Sequence, residues 1–115
     1  GNAFFNGAKA WEHEENFLMD DTNKVFVKLE EKDGVYTLNT NVYDFLGDFR
    51  AGMVTSDILG CAFEPEQRFE DPDGTAITFD KDFLGEHRPV EPIPGPFASK
   101  EAAEKVVFDD TMLCK

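Results

Sequence analysis

The strongest local constraint on the fold is a pair of β-rich runs between Lys24 and Thr40. In each run the side chains alternate with the period of two that is typical of a β-strand. Asp33-Gly34 lies between the runs, and glycine adopts the positive φ that a two-residue hairpin turn requires. The pattern predicts a β-hairpin over residues 24–40. Because an isolated hairpin is only marginally stable in water, other strands must pack on it or pair with it.

The composition is that of one ordered, acidic domain or of part of one. The chain has 115 residues, 41% of them hydrophobic, and its twelve Phe would supply much of a core. The net charge is −13, and the acid is spread: residues 1–60 hold eleven acidic and five basic side chains, and residues 61–115 hold thirteen and six. Such a field repels nucleic acid and anionic lipid headgroups, so we expect neither nucleic acid nor a membrane as a partner.

The cysteines and the ends of the chain leave several alternatives open. Cys61 and Cys114 could form one disulfide, but no CxxC pair indicates a zinc site. No apolar run approaches the ~20 residues that cross a bilayer, and no basic-then-apolar leader is present. Because the chain starts at Gly1 instead of Met, we expect a cleaved precursor or a fragment of a longer protein.

Composition divides the chain into a β-rich part, residues 1–98, followed by a short helix and a tail. Within the β-rich part we expect the hairpin and one or two short strands in residues 52–63. Residues 69–88 predict an acidic turn, a strand-like run and a second acidic turn. Residues 89–96 contain four prolines, which predicts a stiff, extended, polyproline-like segment.

The end of the chain holds the one good helix signal. Ser99 is a suitable N-cap, Glu101 lies in the first turn and Lys105 lies near the end, which together predict a helix over residues 99–107. Residues 108–115 are expected to be a frayed tail.

Three side chains are candidates for binding a sugar: Trp11, His13 and Arg88. Trp11, the only Trp, is followed by Glu12 and His13, and an aromatic face beside polar side chains can act as a sugar-stacking platform. A half-buried aromatic beside a solvated loop is the alternative. Arg88 could bind an acidic sugar, or it could pair with a nearby Asp and fix the loop that it closes.

Four aspartates are candidate ligands of calcium, which is the only cofactor that the sequence indicates: Asp71, Asp73, Asp80 and Asp82. The EF-hand pattern does not fit, because aligning its glycine with Gly74 puts Phe69 at the first ligand position. In the alternative, these acids cap turns and face water. No residue can be given a catalytic role, since 24 acidic residues offer many chance carboxylate pairs.

Three short sequence motifs occur in order along the chain: NAFFNGA at residues 2–8, EDPDGT at residues 70–75 and DKDFLGEHR at residues 80–88. Together they resemble the carboxy-terminal end of right-handed parallel β-helix proteins of the pectate-lyase-like group, which act on polysaccharides. The resemblance implies a mainly β fold: the terminal coils and cap of a parallel β-helix, with a hairpin and one short C-terminal helix. It also implies an extracellular or cell-surface location.

The same resemblance implies a structural role within a polysaccharide lyase or glycosidase, without catalysis by this chain alone. A chain of this length provides only a few coils, and one coil cannot bury its own face. The implied partners are therefore the remainder of a larger chain or a second subunit, and a polysaccharide. The alternative is an independent, acidic, small antiparallel β-sandwich that binds a protein or a carbohydrate.

Overall fold

The computed structural model describes residues 1–104 and 106–109, which are mainly β with few helices. The strands are β1 (Ala3–Phe5), β2 (Leu18–Asp20), β3 (Val27–Lys32), β4 (Val35–Thr40) and β5 (Val107–Asp109). The helical segments are a 3₁₀ turn (Val42–Phe45), α1 (Ser56–Leu59) and α2 (Lys100–Glu104). No helix in the described ranges is long and apolar enough to cross a membrane.

The hairpin between β3 and β4 is present, and it pairs every residue of the two strands from Val27↔Thr40 to Lys32↔Val35. Its turn residues Asp33 and Gly34 have φ of 54° and 79°. Two positive φ values at the turn match the right-handed twist of the strands. Local turn chemistry therefore sets the register of this sheet.

Residues 108 and 109, the start of the tail expected to fray, belong to a strand of the same sheet, and the other residues of that tail, 110–115, lie outside the described ranges. β5 pairs antiparallel with β4, with Phe108 opposite Tyr36, so β4 is central and β3 lies at the edge. Cys114 lies outside the described residues, so the structure does not test whether it pairs with the exposed Cys61.

The helix expected over residues 99–107 is shorter, because α2 ends at Glu104. Its N-terminus is as expected: the Ser99 hydroxyl accepts a hydrogen bond from the Ala102 N–H at 3.1 Å. Val107 lies in β5 instead of the helix, since a β-branched side chain favours a strand and β4 offers it a partner.

The other sheet consists of β1 and β2, which pair in parallel from Ala3↔Leu18 to Phe5↔Asp20. Parallel neighbours need a long crossover, and residues 6–17 provide it. This is the only parallel pairing among the strands of the described residues, so the structure by itself does not show the stacked coils of a β-helix.

The segment between β4 and α2 is built from turns rather than strands. The expectation of strands in residues 52–63 is wrong, because Ser56–Leu59 forms α1, capped by the Thr55 hydroxyl. The strand-like run in residues 69–88 pairs only through isolated bridges. Three successive loops are closed by single bridges: Cys61↔Arg68, Glu70↔Ala76 and Lys81↔His87.

Ser56 fastens the first two of these loops to α1. Its buried hydroxyl donates to the Phe69 carbonyl and accepts from the Ile77 N–H at 2.8 Å. One side chain thus joins segments that are 13 and 21 residues away along the chain.

Asp82 joins the last loop to the segment before α2. Asp82 is only 8% exposed. Its carboxylate accepts hydrogen bonds from the backbone N–H groups of Leu84, Glu86 and Ala98 at 2.8–2.9 Å. Burial acts to raise the pKa of Asp82, but these three donors and the charge of Arg88 outweigh it and hold the pKa below its ordinary value.

Arg88 bends the proline-rich segment around its guanidinium group, which donates to the Ile93 carbonyl at 2.8 Å and to the Gly95 carbonyl at 2.7 Å. The backbone bends before and after the buried Pro92. The expectation of a stiff, extended segment over residues 89–96 is therefore wrong, since two of its carbonyls turn towards one cation.

The apolar core is small. One cluster of buried side chains lies between α2 and β4 and is made of Phe97, Ala102, Ala103 and Val106, with Leu38, Tyr43 and Phe108 packed against it. Leu46 is the remaining buried hydrophobic residue of the described ranges.

The chain has more surface than a compact protein of its mass. Its accessible area is 8426 Å², whereas a folded monomer of 13.0 kDa has about 6,300 Å². Its radius of gyration is 16.6 Å, against roughly 13 Å for a compact domain of this length. Seventeen large hydrophobic side chains are exposed among the described residues. Much of the apolar surface expected in a core therefore faces outward.

The Asp82 network gives a first prediction. We expect Asp82→Asn to lower the free energy of unfolding at pH 7 by about 1–3 kcal/mol, because buried N–H groups lose a charged acceptor. Urea unfolding followed by circular dichroism measures this loss, with Asp71→Asn, an exposed aspartate, as the matched control.

The difference between the two variants should also depend on pH. The pKa of Asp82 is lower in the folded chain than in the unfolded chain, where it is about 3.9. The carboxylate therefore contributes its full stabilisation above the unfolded pKa and loses it as the pH falls through the folded pKa. An Asp82→Asn variant as stable as the native chain at pH 7 would contradict this account.

Candidate functional site

The crossover between the two parallel strands, residues 6–17, carries the candidate site and is called the Trp11 loop below. Trp11 is 67% exposed, although Trp side chains are on average largely buried. The rings of Trp11 and His13 meet edge to face, with centroids 4.5 Å apart and an angle of 71° between planes. The Glu12 carboxylate lies 3.5 Å from His13 Nε2. The structure thus brings an open indole, an imidazole and a carboxylate together.

Hydrogen bonds tie the Trp11 loop to the body of the chain. The Glu14 N–H donates to the Trp11 carbonyl at 2.9 Å, which closes a turn around residues 12 and 13. The Asn2 side-chain amide donates to the Glu14 carboxylate at 2.6 Å, and the Asn16 amide donates to the Arg50 carbonyl at 3.1 Å. At the other end of the loop, the Gly7 N–H donates to the Asp21 carboxylate at 3.0 Å. Because the loop is tied down on both sides of Trp11, less ordering is required of it when a ligand binds.

Arg88, the third predicted sugar-binding residue, has a different environment. Its guanidinium holds two carbonyls of the proline-rich segment, and its buried Nε has no hydrogen-bond partner among the described residues. Within those residues, no hydrogen bond, ion pair or aromatic contact joins Arg88 to Trp11 or His13. Trp11 and His13 therefore lie together. Arg88 makes none of these contacts with them and instead holds the bend of the proline-rich segment.

The four predicted calcium ligands are not brought together. The Asp73 carboxylate accepts from the N–H and the hydroxyl of Thr75, which lowers the pKa of Asp73. Asp82 is occupied by three backbone donors, and Asp80 lies 3.6 Å from His87 Nδ1. Asp71 is exposed. No group of three or more His, Cys, Asp or Glu side chains in the described ranges has an arrangement that could hold a metal ion.

The described cavities are shallow and lack converging ionisable groups of a catalytic kind. One groove of about 250 Å³ is almost wholly apolar and lies between β4, the 3₁₀ turn and the bent proline-rich segment, lined in part by Val27, Leu38 and Phe97. A neighbouring groove of about 270 Å³ has Lys100 and Glu104 at its rim. The two His–carboxylate pairs, at His13 and His87, line neither groove and are exposed to solvent.

A solved structure shares the fold of this chain. The structure of XylC in complex with xylose matches it with a TM-score of 0.76 at 23% sequence identity. The match covers 84% of this chain but only 16% of XylC, so this chain spans about a sixth of the protein that it resembles. No protein family and no curated protein matches the sequence. At this level of identity the match shows a shared fold alone.

Sequence reasoning missed a further surface, the exposed hydrophobic side chains of the turn-rich segment. Phe63 is 96% exposed, and Ile58, Phe69 and Phe79 are also exposed. The sequence feature that could have predicted this surface is the large number of Phe in a region with many turn residues and few strand patterns. Such a region cannot bury each aromatic ring by itself.

The placement of the aspartates gives a second prediction, for calcium. An extracellular type of calcium site has a Kd of about 10⁻⁴–10⁻³ M, so 10 mM Ca²⁺ would stabilise a chain that has one by about 1.4 kcal/mol or more. We expect no such effect on the melting temperature, because the four carboxylates do not converge. The measurement compares thermal unfolding in 10 mM CaCl₂ and in EGTA at matched ionic strength. A rise of about 4 °C or more in CaCl₂ would contradict it.

Proposed function

We propose that this chain is a non-catalytic, structural part of a carbohydrate-active protein of the β-helix type. The likeness to XylC, a β-helix-type protein solved with xylose, is the observation that carries the proposal. The match covers most of this chain but only a small part of XylC. We therefore propose that this chain is one segment of a larger protein and that the catalytic residues lie in the rest of that protein.

The exposed apolar side chains support a partner body. A monomeric protein rarely leaves large apolar areas in water, and areas of this kind mark interaction surfaces. Phe63 and Ile58 are among the most exposed side chains of the turn-rich segment, and neither belongs to the core cluster. Contact with another polypeptide would stabilise the complex by roughly 25 cal/mol for each Å² of apolar area of these side chains that it removes from water.

The parallel pair β1–β2 supports the same proposal. Each strand has three residues, and within the described part of the chain neither strand pairs with a third. Parallel sheets are normally buried and larger than two strands, because a short two-stranded ladder is marginally stable alone. The ladder would be extended if coils of a parallel β-helix continued it on either side.

The proposal assigns no catalytic residue. General acid–base catalysis needs a titratable group placed at a reacting atom and tuned by its surroundings. The two His–carboxylate contacts of the described residues lie on separate loops with largely exposed side chains. We expect the isolated chain to be inactive on polysaccharides, with any activity residing in the larger protein.

The third prediction tests whether the apolar surface is covered in the native protein. Hydroxyl-radical footprinting with mass spectrometry would be applied to the 115-residue chain and to the native polypeptide or complex that contains it. We expect Phe63 and Ile58 to react several-fold more slowly in the native assembly. Phe97, which is buried in the core, is the internal control and should react slowly in both samples.

Two outcomes would overturn the proposal. The first is equal reactivity of Phe63 and Ile58 in the two samples, which would mean that no partner covers them. The second is a native protein that is a free 13.0 kDa monomer. The variant Phe63→Ser provides a further check, since in the isolated chain it should leave the free energy of unfolding within about 0.5 kcal/mol of the native value.

A further inference from the structure

We propose that the Trp11 loop binds a neutral sugar unit of a polysaccharide. Trp11 is the stacking surface, and Glu12 and His13 are partners for sugar hydroxyl groups. This inference rests on the proposed role in a carbohydrate-active protein, and it adds the residues that touch the sugar and the class of sugar that they accept.

The indole of Trp11 has a free apolar face. Two-thirds of the residue is exposed, and Trp11 is not among the side chains packed on the core cluster. Its one aromatic neighbour, His13, meets it edge to face at 71° instead of stacking in parallel. An edge-to-face neighbour fixes a ring without covering both of its faces. A second flat, apolar surface can therefore lie against the indole.

The ring is held on a loop whose conformation is already fixed. The Asn2–Glu14 and Asn16–Arg50 bonds hold the loop on the C-terminal side of Trp11, and the Gly7 N–H, which donates to the Asp21 carboxylate at 3.0 Å, holds it on the N-terminal side. A ligand that binds here does not have to order the loop, which removes a main cost of binding for an exposed site.

The chemistry around the indole matches that of a pyranose ring. One face of such a ring is made of C–H groups and is apolar, while its hydroxyl groups project around the edge. A binding site for it needs one apolar surface and a few polar groups at the side. Glu12 and His13 supply carboxylate oxygens and an imidazole next to the indole, and both side chains are largely exposed to solvent.

Charge selects a neutral sugar over an acidic one. Glu12, Glu14 and Glu15 lie in the Trp11 loop, and the net charge of the chain is −13. A uronic acid or a sulfated sugar would be repelled by this field. A quaternary ammonium ion would be attracted to Trp11 beside a carboxylate through a cation–π contact. A quaternary ammonium ion that lacks hydroxyl groups, such as tetramethylammonium, offers nothing for Glu12 and His13 to hydrogen-bond, and its binding is therefore an explicit arm of the test.

Trp11 is the only Trp in the chain, so its fluorescence reports on this loop alone. The chain would be titrated with a neutral β-linked xylo-oligosaccharide, with polygalacturonate and with tetramethylammonium at equal ionic strength. We expect a saturable change in emission with the neutral oligosaccharide at concentrations at which the other two give none. Emission that responds to polygalacturonate or tetramethylammonium at those concentrations, or that fails to respond to the neutral sugar, overturns the inference.

Variants are compared by electrophoresis in gels that contain soluble xylan, because replacing Trp11 removes the fluorescence signal. We expect Trp11→Ala to weaken retardation by roughly tenfold or more and Trp11→Phe to weaken it less. Phe63→Ala, which removes an even more exposed aromatic ring from another loop, is the matched control and should leave retardation unchanged. Equal losses in the Trp11→Ala and Phe63→Ala variants would show non-specific adhesion and overturn the inference. Circular dichroism confirms that each variant is folded.

The test separates this inference from the proposed structural role. If Phe63 and Ile58 are protected in the native assembly while Trp11 does not respond to sugar, the structural role stands and the sugar site fails. If Trp11 itself is protected from hydroxyl radicals in the assembly without sugar, it belongs to the covered surface, and the inference is overturned. Sugar binding by a free monomer would reject the structural role and retain the site.

Discussion

Each irregular segment of this chain is held by a polar side chain that bonds to backbone groups on a distant loop. The Asn6 amide pairs with both backbone groups of Val25, the Ser56 hydroxyl joins two loops, and the Asp82 carboxylate gathers three N–H donors. These bonds replace the strand ladders that the turn-rich sequence cannot form. Each contributes a net stabilisation of about 0.5–1.5 kcal/mol, or more where the acceptor is charged. The geometry of the loops therefore depends on a few polar residues.

Hydrogen bonds of this kind fix positions, but they do not replace the burial of apolar surface. The core cluster lies between α2 and β4. The turn-rich segment that connects β4 to α2 leaves hydrophobic side chains exposed to water. The proposed partner polypeptide, against which this segment would complete its core, would account for the excess surface area, the large radius of gyration and the short parallel ladder.

The candidate site follows from the topology of the small parallel sheet. Two parallel neighbours require a long crossover, and in this chain the crossover carries Trp11, Glu12 and His13. A loop of this length would usually be mobile, yet hydrogen bonds at Gly7, Glu14 and Asn16 anchor it on both sides of Trp11. The same connection that joins β1 to β2 thus displays an aromatic ring on an anchored loop, far in the sequence from the core cluster at residues 97–106.

The sequence by itself determined the features that depend on neighbouring residues. The β3–β4 hairpin follows from alternation and from the φ preferences of Asp33-Gly34, the start of α2 follows from Ser99, and Trp11 with His13 was a candidate pair from residue type alone. Only the tertiary structure decided features that depend on distant partners. β4 recruits Val107 into β5, Arg88 bends the proline-rich segment, and three backbone N–H groups donate to the Asp82 carboxylate. A local pattern fixes φ and ψ over a few residues, whereas these contacts join segments whose proximity is not encoded in any single stretch of the chain.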